Sequence, residues 1–472
     1  MAFLGMDAGL AVLTLFGVAM VIVTWFFTKH VNLTTDDFLV AGRDVPWWLG
    51  ASSIAASWIW APALFISSQM AYELGLPGIF WFVFPNTIAV AIFVFLAPKI
   101  KEKFPQGYTL PEYVSNRLKD KNLHLIYFFG YSFYQLMAVA VQLFAGSSLV
   151  FLLTGIPIEV SMLHIAFFVL VYCLISGLRA SIVTDFVQLG MIFLGIIIVV
   201  PMAIQASGGF ASVLSGIGGV DGTHSNLLDP GVAFSFGLVT SIGLISGAIS
   251  DQQFWQRTFA FHKDSVRPGF IAGAILFAIV PVSLSFLGFI AAAPGSGIVL
   301  PAGTDASMIG VLAVTHLLPS SFVVLFLIML LAGLTSTLDS ALSAFSSLYA
   351  VDIKQYAVSK DLSAARAGMV IILVAGLLVA VVTAYVPNFG LKQLWWIFNA
   401  VAATLAVPTV LSLYWGKLTA KGASYGILSA LAIGLPLFVY GNFSNNTMLI
   451  VGSAIFILAT NLACCWIFRK KN

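Results

Sequence analysis

Long apolar stretches dominate this sequence and limit what it can fold into. A transmembrane helix needs about 20 mostly apolar residues to cross a hydrocarbon core about 30 Å thick. Only 8% of the residues are charged, whereas a soluble domain carries about 25%. We therefore expect an all-α membrane protein with 13 transmembrane helices, and we exclude a soluble enzyme, a nucleic-acid-binding protein and a disordered scaffold. The predicted spans are residues 9–28, 47–72, 77–98, 123–154, 158–176, 181–205, 231–255, 265–293, 319–354, 362–386, 391–416, 421–441 and 446–468.

The basic residues predict the orientation of these spans. With an external N-terminus, all of the 21 Lys and Arg residues except Lys392 fall in inner loops, including Arg257, Lys354 and Lys360. Positively charged loops remain on the cytoplasmic side of a membrane. An even number of spans would not produce this pattern. We therefore predict one multi-pass domain, residues 1–472, in the cell membrane, with the N-terminus outside and the C-terminus in the cytoplasm.

Three acidic residues lie inside predicted spans, namely Asp185, Asp251 and Asp339. Ionisable groups at membrane depth are costly and are functional hypotheses by default. Asp251 lies close to Arg257 along the chain and could pair with it, so we interpret Asp251 as structural. Asp339 lies in the middle of its segment, where no loop residue is near. It is the strongest candidate for a functional acid.

The surroundings of Asp339 are rich in hydroxyl groups. Ser336, Ser340 and Ser343 share a helical face with it, because residues three and four positions apart lie on one side of a helix. Small hydroxylated residues often serve only to let helices pack closely. With a carboxylate among them, the same face offers hard oxygen donors, the ligand type that alkali cations prefer. This combination favours an ion site.

Two spans contain irregular sequence. Pro62 removes one helical hydrogen bond and displaces the carbonyl four residues earlier, that of Trp58. Irregular backbone at membrane depth is tolerated only beside protein or a polar cavity. We expect an unwound segment around Ala55 to Trp58 that directs oxygens at a cation, with a simple proline kink as the alternative. Residues 243–250, rich in Gly and Ser, weaken a second span.

Interrupted spans at corresponding positions of two halves indicate a transporter built from inverted repeats. Spans 2–6 and 7–11 would be the two repeats. The sequence has no GxxxxGK[ST] phosphate-binding loop and no HExxH motif. We therefore expect an ion gradient, rather than ATP, to supply the energy, and we expect no enzymatic activity.

Four segments in order resemble the sodium/solute symporter family. They are residues 38–43, 47–52, 176–185 and 251–257. The resemblance implies the LeuT-type fold, with inverted five-helix repeats. On this basis residues 9–28 are an extra first helix, 47–205 and 231–416 are repeats 1 and 2, and 421–468 are two C-terminal helices.

The resemblance also implies a sodium site between the first and eighth core helices. Its ligands would be the carbonyls of Ala55, Trp58 and Gly333 with the hydroxyls of Ser336 and Thr337. Some members bind a second sodium through an acid equivalent to Asp185. Asp339 stands where the family usually has a small residue, so a second cation site or a proton site would use Asp185, Asp339 and Ser340.

Residues 56–61, 67–72 and 78–81 look most like the urea-transporter branch of that family, which is often proton-coupled. Polar positions of the sugar branch are not kept, since Pro62 and Leu244 stand there. We expect a monomeric, Na⁺-coupled importer of a small polar solute, such as urea or a related nitrogenous compound, with no further cofactor and no nucleic-acid partner. Open alternatives are a proton-coupled symporter, a symporter of an amino acid, polyamine or sugar, and, less favoured, a channel or sensor.

The solute would be held by aromatic and amide side chains within the spans. Aromatic rings and uncharged polar groups there also pack helices together, so each one alone is weak support. The candidates are Trp58, Trp60, Gln69, Trp81, Gln135, Trp395 and Asn399.

Overall fold

The computed structural model describes residues 3–29, 34–353, 362–386 and 390–471. Lys354 and Lys360, two of the basic residues that we assigned to inner loops, lie outside this part. Within the described residues, 12 helices are long and apolar enough to cross a membrane, where the sequence predicted 13. The α-helices are α1 (Met6–Thr28), α2 (Thr35–Val40), α3 (Trp47–Trp58), α4 (Ser67–Ala91), α5 (Phe93–Lys103), α6 (Leu110–Leu118), α7 (Lys121–Thr154), α8 (Ile158–Ser176), α9 (Leu178–Ala206), α10 (Phe210–Ser215), α11 (Pro230–Val232), α12 (Leu238–Ile249), α13 (Gln252–Ala260), α14 (Val266–Ala292), α15 (Ile309–Leu317), α16 (Ser320–Leu348), α17 (Ser363–Ala384), α18 (Leu391–Tyr414), α19 (Ala420–Ser429), α20 (Leu435–Phe443) and α21 (Thr447–Ile467).

One bent helical stretch accounts for the difference of one span. The stretch Pro62–Lys103, which contains α4 and α5, is counted as a single spanning helix of 42 residues. Gly75 inside it has a φ of 58° and a ψ of −146°, which are not helical values. If Gly78 carried a Cβ, that atom would lie only 2.4 Å from the carbonyl oxygen of Met70. In a straight helix, two residues eight positions apart are separated by about 12 Å. The chain therefore folds back at Gly75. At about 1.5 Å per residue, the stretch is long enough for two crossings.

The first interrupted span breaks later than predicted. Residues Ala55 to Trp58 are helical, and the chain leaves the helix at Ile59, whose φ is −79° and ψ is 65°. The expected unwinding of Ala55 to Trp58 is therefore wrong. The reason is that the Ile59 N–H still donates to the Ala55 carbonyl at 3.0 Å, whereas Pro62 has no N–H to offer Trp58. The last helical bond thus closes at Ile59.

The second interruption separates α12 from α13 at Ser250 and Asp251. The Asp251 carboxylate accepts the Gln253 N–H at 2.9 Å, which caps α13. The same oxygen accepts a hydrogen bond from Gln135 Nε2 at 2.9 Å. The pairing with Arg257 that was open to Asp251 is not formed in the described chain: both amide donors bind its Oδ1, its Oδ2 has no partner there, and Arg257 pairs with Asp185 instead.

Helix packing places the two candidate segments side by side. α14 lies along α3 and α4, and α16 lies along α7 and α9 and also contacts α3. Gly333 of α16 permits that contact, since a Cβ there would lie 2.8 Å from Leu64 Cδ1 and 3.4 Å from Ile59 Cγ2. The hydroxyl-rich part of α16 therefore faces the break after α3.

Candidate functional site

Two hydroxyls of α16 lie against the backbone where α3 ends. Ser336 Oγ is 2.9 Å from the Ala56 carbonyl oxygen. Thr337 Oγ1 is 3.3 Å from the Ser57 carbonyl oxygen and 3.4 Å from that of Ile59. All of these groups are buried. The end of α3 and the middle of α16 together form a cluster of uncharged oxygens, which we call the oxygen cage.

The Gly333 carbonyl completes this cage from within α16. Its oxygen lies 3.2 Å from Ser336 Oγ and 3.4 Å from Thr337 Oγ1. A single Thr337 hydroxyl proton can serve only one acceptor, yet three carbonyl oxygens surround that hydroxyl at 3.3 to 3.4 Å. Such a set of carbonyl and hydroxyl oxygens suits a small hard cation. The absence of a carboxylate among them suits a single positive charge.

The structure brings three of the five predicted sodium ligands together, namely the Gly333 carbonyl and the hydroxyls of Ser336 and Thr337. The Ala55 carbonyl accepts a helical hydrogen bond at 3.0 Å instead. In the described chain, the Trp58 carbonyl is not among the oxygens within hydrogen-bond distance of either hydroxyl. The later break of α3 explains this shift, because it presents a different set of carbonyls to α16.

An arginine lies among the residues predicted for the second site. Arg257 is only 1% exposed, so its assignment to an inner loop is wrong. Its Nη2 donates to Asp185 Oδ2 at 2.9 Å and to Ser340 Oγ at 2.6 Å. Its Nε donates to Ser53 Oγ at 2.8 Å, and Ser53 in turn donates to Asp185 Oδ2 at 2.5 Å. The signal in the sequence that could have located Arg257 was Asp185, because a carboxylate inside a span needs a counter-ion.

Asp339 accepts hydrogen bonds from four neighbouring hydroxyls. Its Oδ1 accepts from Ser181 Oγ at 2.6 Å and from Ser340 Oγ at 3.5 Å, and Oδ2 accepts from Tyr172 at 2.8 Å and from Thr184 at 3.2 Å. Ser181 also lies 3.5 Å from Asp185 Oδ2. The structure thus gathers Asp185, Asp339 and Ser340 into one buried cluster, as predicted, but with a guanidinium inside it.

A small cavity adjoins the break on its other side. It measures about 20 Å³, room for about one water molecule. Three polar atoms at its walls have no hydrogen-bond partner in the described chain, namely the indole nitrogens of Trp58 and Trp60 and Oδ1 of Asn399. Its lining consists of Trp58, Trp60, Pro62, Ala63, Phe82, Asn86, Tyr134, Leu244, Trp395, Phe398 and Asn399.

Four of the seven predicted solute residues line this cavity, and three do not. Gln135 is bound to Asp251 and Gln253, and Gln69 donates to Glu73 at 2.8 Å. Trp81 packs against Gly237 of another helix. Gln135 and Trp81 thus join helices, which is the common use of such groups in a membrane protein, whereas the contact of Gln69 lies within α4.

Sequence reasoning missed three aromatic walls of the cavity, namely Phe82, Tyr134 and Phe398. Phe398 stacks on Trp60 with ring centroids 5.4 Å apart, and Tyr134 lies 5.5 Å from the same indole. Phe398 is one of 40 phenylalanines, and nothing in the sequence distinguishes it from those that face lipid. Only its position beside Asn399 offered a hint.

Comparison with known proteins gives a consistent result. The sequence model of the sodium:solute symporter family matches residues 38–430. The chain is 26% identical to a urea-proton symporter, DUR3, of Oryza sativa subsp. japonica, over 99% of this chain and 71% of the relative. It is 26% identical to a sodium/glucose cotransporter of Vibrio parahaemolyticus, over 87% of this chain and 80% of the relative.

A solved structure of a Na⁺-coupled sialic acid symporter superposes on this chain with a TM-score of 0.78. The identity is 18%, and the match covers 98% of both chains. At that identity the likeness shows the fold alone. The predicted all-α, LeuT-type architecture is confirmed. These relatives are described as transporters rather than enzymes, and the 12 spanning helices make this a multi-pass membrane protein.

Proposed function

Because this chain belongs to the sodium:solute symporter family, we propose that it is a symporter in which the downhill entry of one sodium ion drives the import of a small neutral amide such as urea. The observation that carries this proposal is the position of the break after α3. On one side its backbone borders the oxygen cage of Ser336 and Thr337. On the other side its Trp58 and Trp60 side chains line the cavity.

This shared segment gives a physical route for coupling. A sodium ion in the oxygen cage would draw the carbonyls of Ser57 and Ile59 towards Thr337 and fix the conformation of the break. The indoles of Trp58 and Trp60 belong to the same few residues, so the walls of the cavity would be fixed with it. Sodium would thus bind best to the state that also binds solute, which is the requirement for linkage between two ligands.

The cavity chemistry supports a neutral, amide-like solute. Two indole N–H groups can donate to a carbonyl oxygen, and Asn399 Oδ1 can accept from an amide N–H. Urea carries both of these groups, and because the cavity as it stands has room for about one water molecule, its walls would have to move apart to admit urea. The lining residues include no charged side chain, whereas an amino acid or a polyamine would need a counter-charge in a buried site. The rice relative is described as a urea symporter.

One sodium ion supplies enough free energy for concentrative uptake. A monovalent cation gains about 2.3 kcal/mol on crossing about 100 mV, and a tenfold concentration gradient adds about 1.4 kcal/mol. Together these could concentrate a neutral solute several-hundredfold. The transported cation need not be sodium, since the rice relative is described as proton-coupled. Asp339, a buried carboxyl in contact with four hydroxyls, is the group that would carry a proton in that alternative.

The remaining assignments follow the charge pattern and the repeats. We place the protein in the cell membrane as a monomer, with the N-terminus outside and the C-terminus in the cytoplasm. Residues 47–205 and 231–416 would be the inverted repeats. The two broken segments, α3 with α4 and α12 with α13, fall at corresponding positions in these halves, which supports that division.

Uptake into proteoliposomes tests the function directly. We expect labelled urea to accumulate at least tenfold above equilibrium under an inward sodium gradient with the interior negative, and to equilibrate only when choline replaces sodium. Accumulation driven by a pH gradient without sodium would establish the proton alternative. Passive equilibration that no gradient accelerates would indicate a channel. Competition by formamide, glucose and putrescine would rank the solute classes, and failure of urea alone would reject the proposed solute.

Removing either hydroxyl of the oxygen cage is expected to weaken sodium binding. Hydrogen bonds and similar contacts to charged groups contribute about 1.5–3 kcal/mol. Ser336→Ala or Thr337→Ala should therefore raise the sodium concentration for half-maximal uptake about tenfold or more, as measured by uptake at varied sodium. Ser343→Ala is the matched control, because its hydroxyl lies on the same helix without a partner in the described chain. Unchanged sodium dependence in both cage variants would reject the site.

A further inference from the structure

The cluster around Asp185 contains two carboxyl groups and one guanidinium, all inside the helix bundle. Asp185 and Asp339 are fully buried, and Arg257 is 1% exposed. An arginine side chain stays charged in proteins. The guanidinium is therefore a permanent cation at a place where sequence resemblance suggested a second coupling cation.

The guanidinium already uses the oxygens that a second cation would need. Its Nη2 lies 2.9 Å from Asp185 Oδ2, 2.6 Å from Ser340 Oγ and 3.4 Å from Ser181 Oγ. Its Nε binds Ser53 at 2.8 Å, and its Nη1 binds the Gln253 carbonyl at 3.3 Å. Arg257 of α13 thus joins α3, α9 and α16 by charge-assisted contacts, and such contacts are stronger than neutral hydrogen bonds.

The oxygens left over do not form a cation site. Both oxygens of Asp339 accept hydroxyl protons, Oδ1 from Ser181 and Ser340 and Oδ2 from Tyr172 and Thr184. Asp185 Oδ1 is the one carboxylate oxygen of the cluster without a partner in the described chain. A single free oxygen cannot replace the hydration shell of a sodium ion, and an ion placed beside it would lie next to a like charge. The second cation does not fit this cluster.

We propose that Arg257 is the built-in cation of this cluster and restricts the protein to a single coupling cation, bound at the oxygen cage. Arg257 acts as a specificity-determining residue for ion stoichiometry. Its charge takes the place of a second sodium ion, and its contacts hold α13 to three helices of the core without any bound ion. The identity of the one coupling cation rests on the proposed function, whereas the occupation of the second position by Arg257 does not.

Counting bound sodium tests this inference without measuring transport. We use equilibrium binding of ²²Na⁺ to the purified full chain at pH 8, with protein folding checked by size-exclusion chromatography. We expect one sodium ion per chain in the wild type, two in Arg257→Ala, and one in Arg257→Lys, which keeps the charge. The double variant Arg257→Ala with Asp185→Asn should return to one, because it removes a ligand of the newly opened site.

The possible results separate this inference from the proposed function. Two sodium ions per wild-type chain, or a folded Arg257→Ala that gains none, would overturn it. If Arg257→Ala does not fold, the numbers of sodium ions bound by the wild type and by Asp185→Asn still test the inference. Both proteins should bind one sodium ion per chain. A wild type that binds two and an Asp185→Asn variant that binds one would contradict the inference. A wild type that binds no sodium, with one gained in Arg257→Ala, would reject sodium coupling and yet support the role of Arg257.

Discussion

Replacing Asp185 with Ala should destabilise the folded protein by about 3–5 kcal/mol, the usual cost of removing one partner from a buried ion pair. Arg257 would remain charged and buried, with its 2.9 Å contact to Asp185 lost. Ser53 would lose its acceptor at the same time. We expect the thermal midpoint of the purified protein to fall steeply, as measured by loss of the monodisperse peak after heating.

The double variant Asp185→Ala with Arg257→Met is the matched control for this prediction. It removes both charges and keeps an apolar chain in place of the arginine stem. Replacing a buried ion pair by apolar groups is often neutral in stability, so most of the loss should be recovered. A single variant that loses less than about 1 kcal/mol, or a double variant no more stable than the single one, would show that the pair does not hold the helices together.

The ion pair also shows where prediction from the sequence stops. Apolar length and the breaks at Pro62 and at residues 243–250 indicated the fold, because these signals depend on neighbours along the chain. The position of Arg257 depends instead on which way α13 turns after Asp251. A charge count treats a basic residue between two spans as a loop residue, whereas the helix cap at Asp251 directs this one inwards.

The oxygen cage was predicted in part for a similar reason. Ser336 and Thr337 were expected as ligands from the family resemblance, and the hydroxyl-rich face that is visible in the sequence of their helix includes Ser336. The opposing carbonyls depend on where α3 ends, and a shift of one residue in a helix end presents different oxygens. Proline indicates that a helix will break, but the hydrogen bond from Ile59 to Ala55 determines the last helical residue.

Glu112 lies outside the spanning helices, at the start of α6, and it couples stability to pH. Burial raises the pKa of its carboxyl group from 4.5 to about 7, and the nearby Asp352 charge adds to this rise. The Tyr108 N–H, which donates to Glu112 Oε2 at 3.0 Å, lowers the pKa and opposes burial without cancelling it. Near neutral pH the folded protein therefore binds a proton here that the unfolded chain has already released.

The sign of the effect follows from this difference. Because the folded pKa is the higher one, the stabilisation is complete below pH 4.5 and is lost as the pH rises to about 7. At about 1.36 kcal/mol for each pKa unit, the loss reaches up to about 3 kcal/mol. Glu112→Gln carries no charge at any pH, so it should lack this loss. We expect the variant to be more stable than the wild type by about 2–3 kcal/mol at pH 8 and similar to it at pH 4.5.

The comparison between variant and wild type isolates Glu112 from the other titrating groups, which change in both proteins alike. The measurement is the free energy of unfolding in denaturant from pH 4.5 to pH 8 for the wild type, Glu112→Gln and Glu102→Gln. Glu102 is the matched control, because it is an exposed glutamate that pairs with Lys99 at 2.9 Å, and the replacement of an exposed partner of a surface ion pair should leave stability nearly unchanged at every pH. A difference between Glu112→Gln and the wild type that stays constant with pH would mean that this carboxyl does not titrate in this range and does not couple stability to pH.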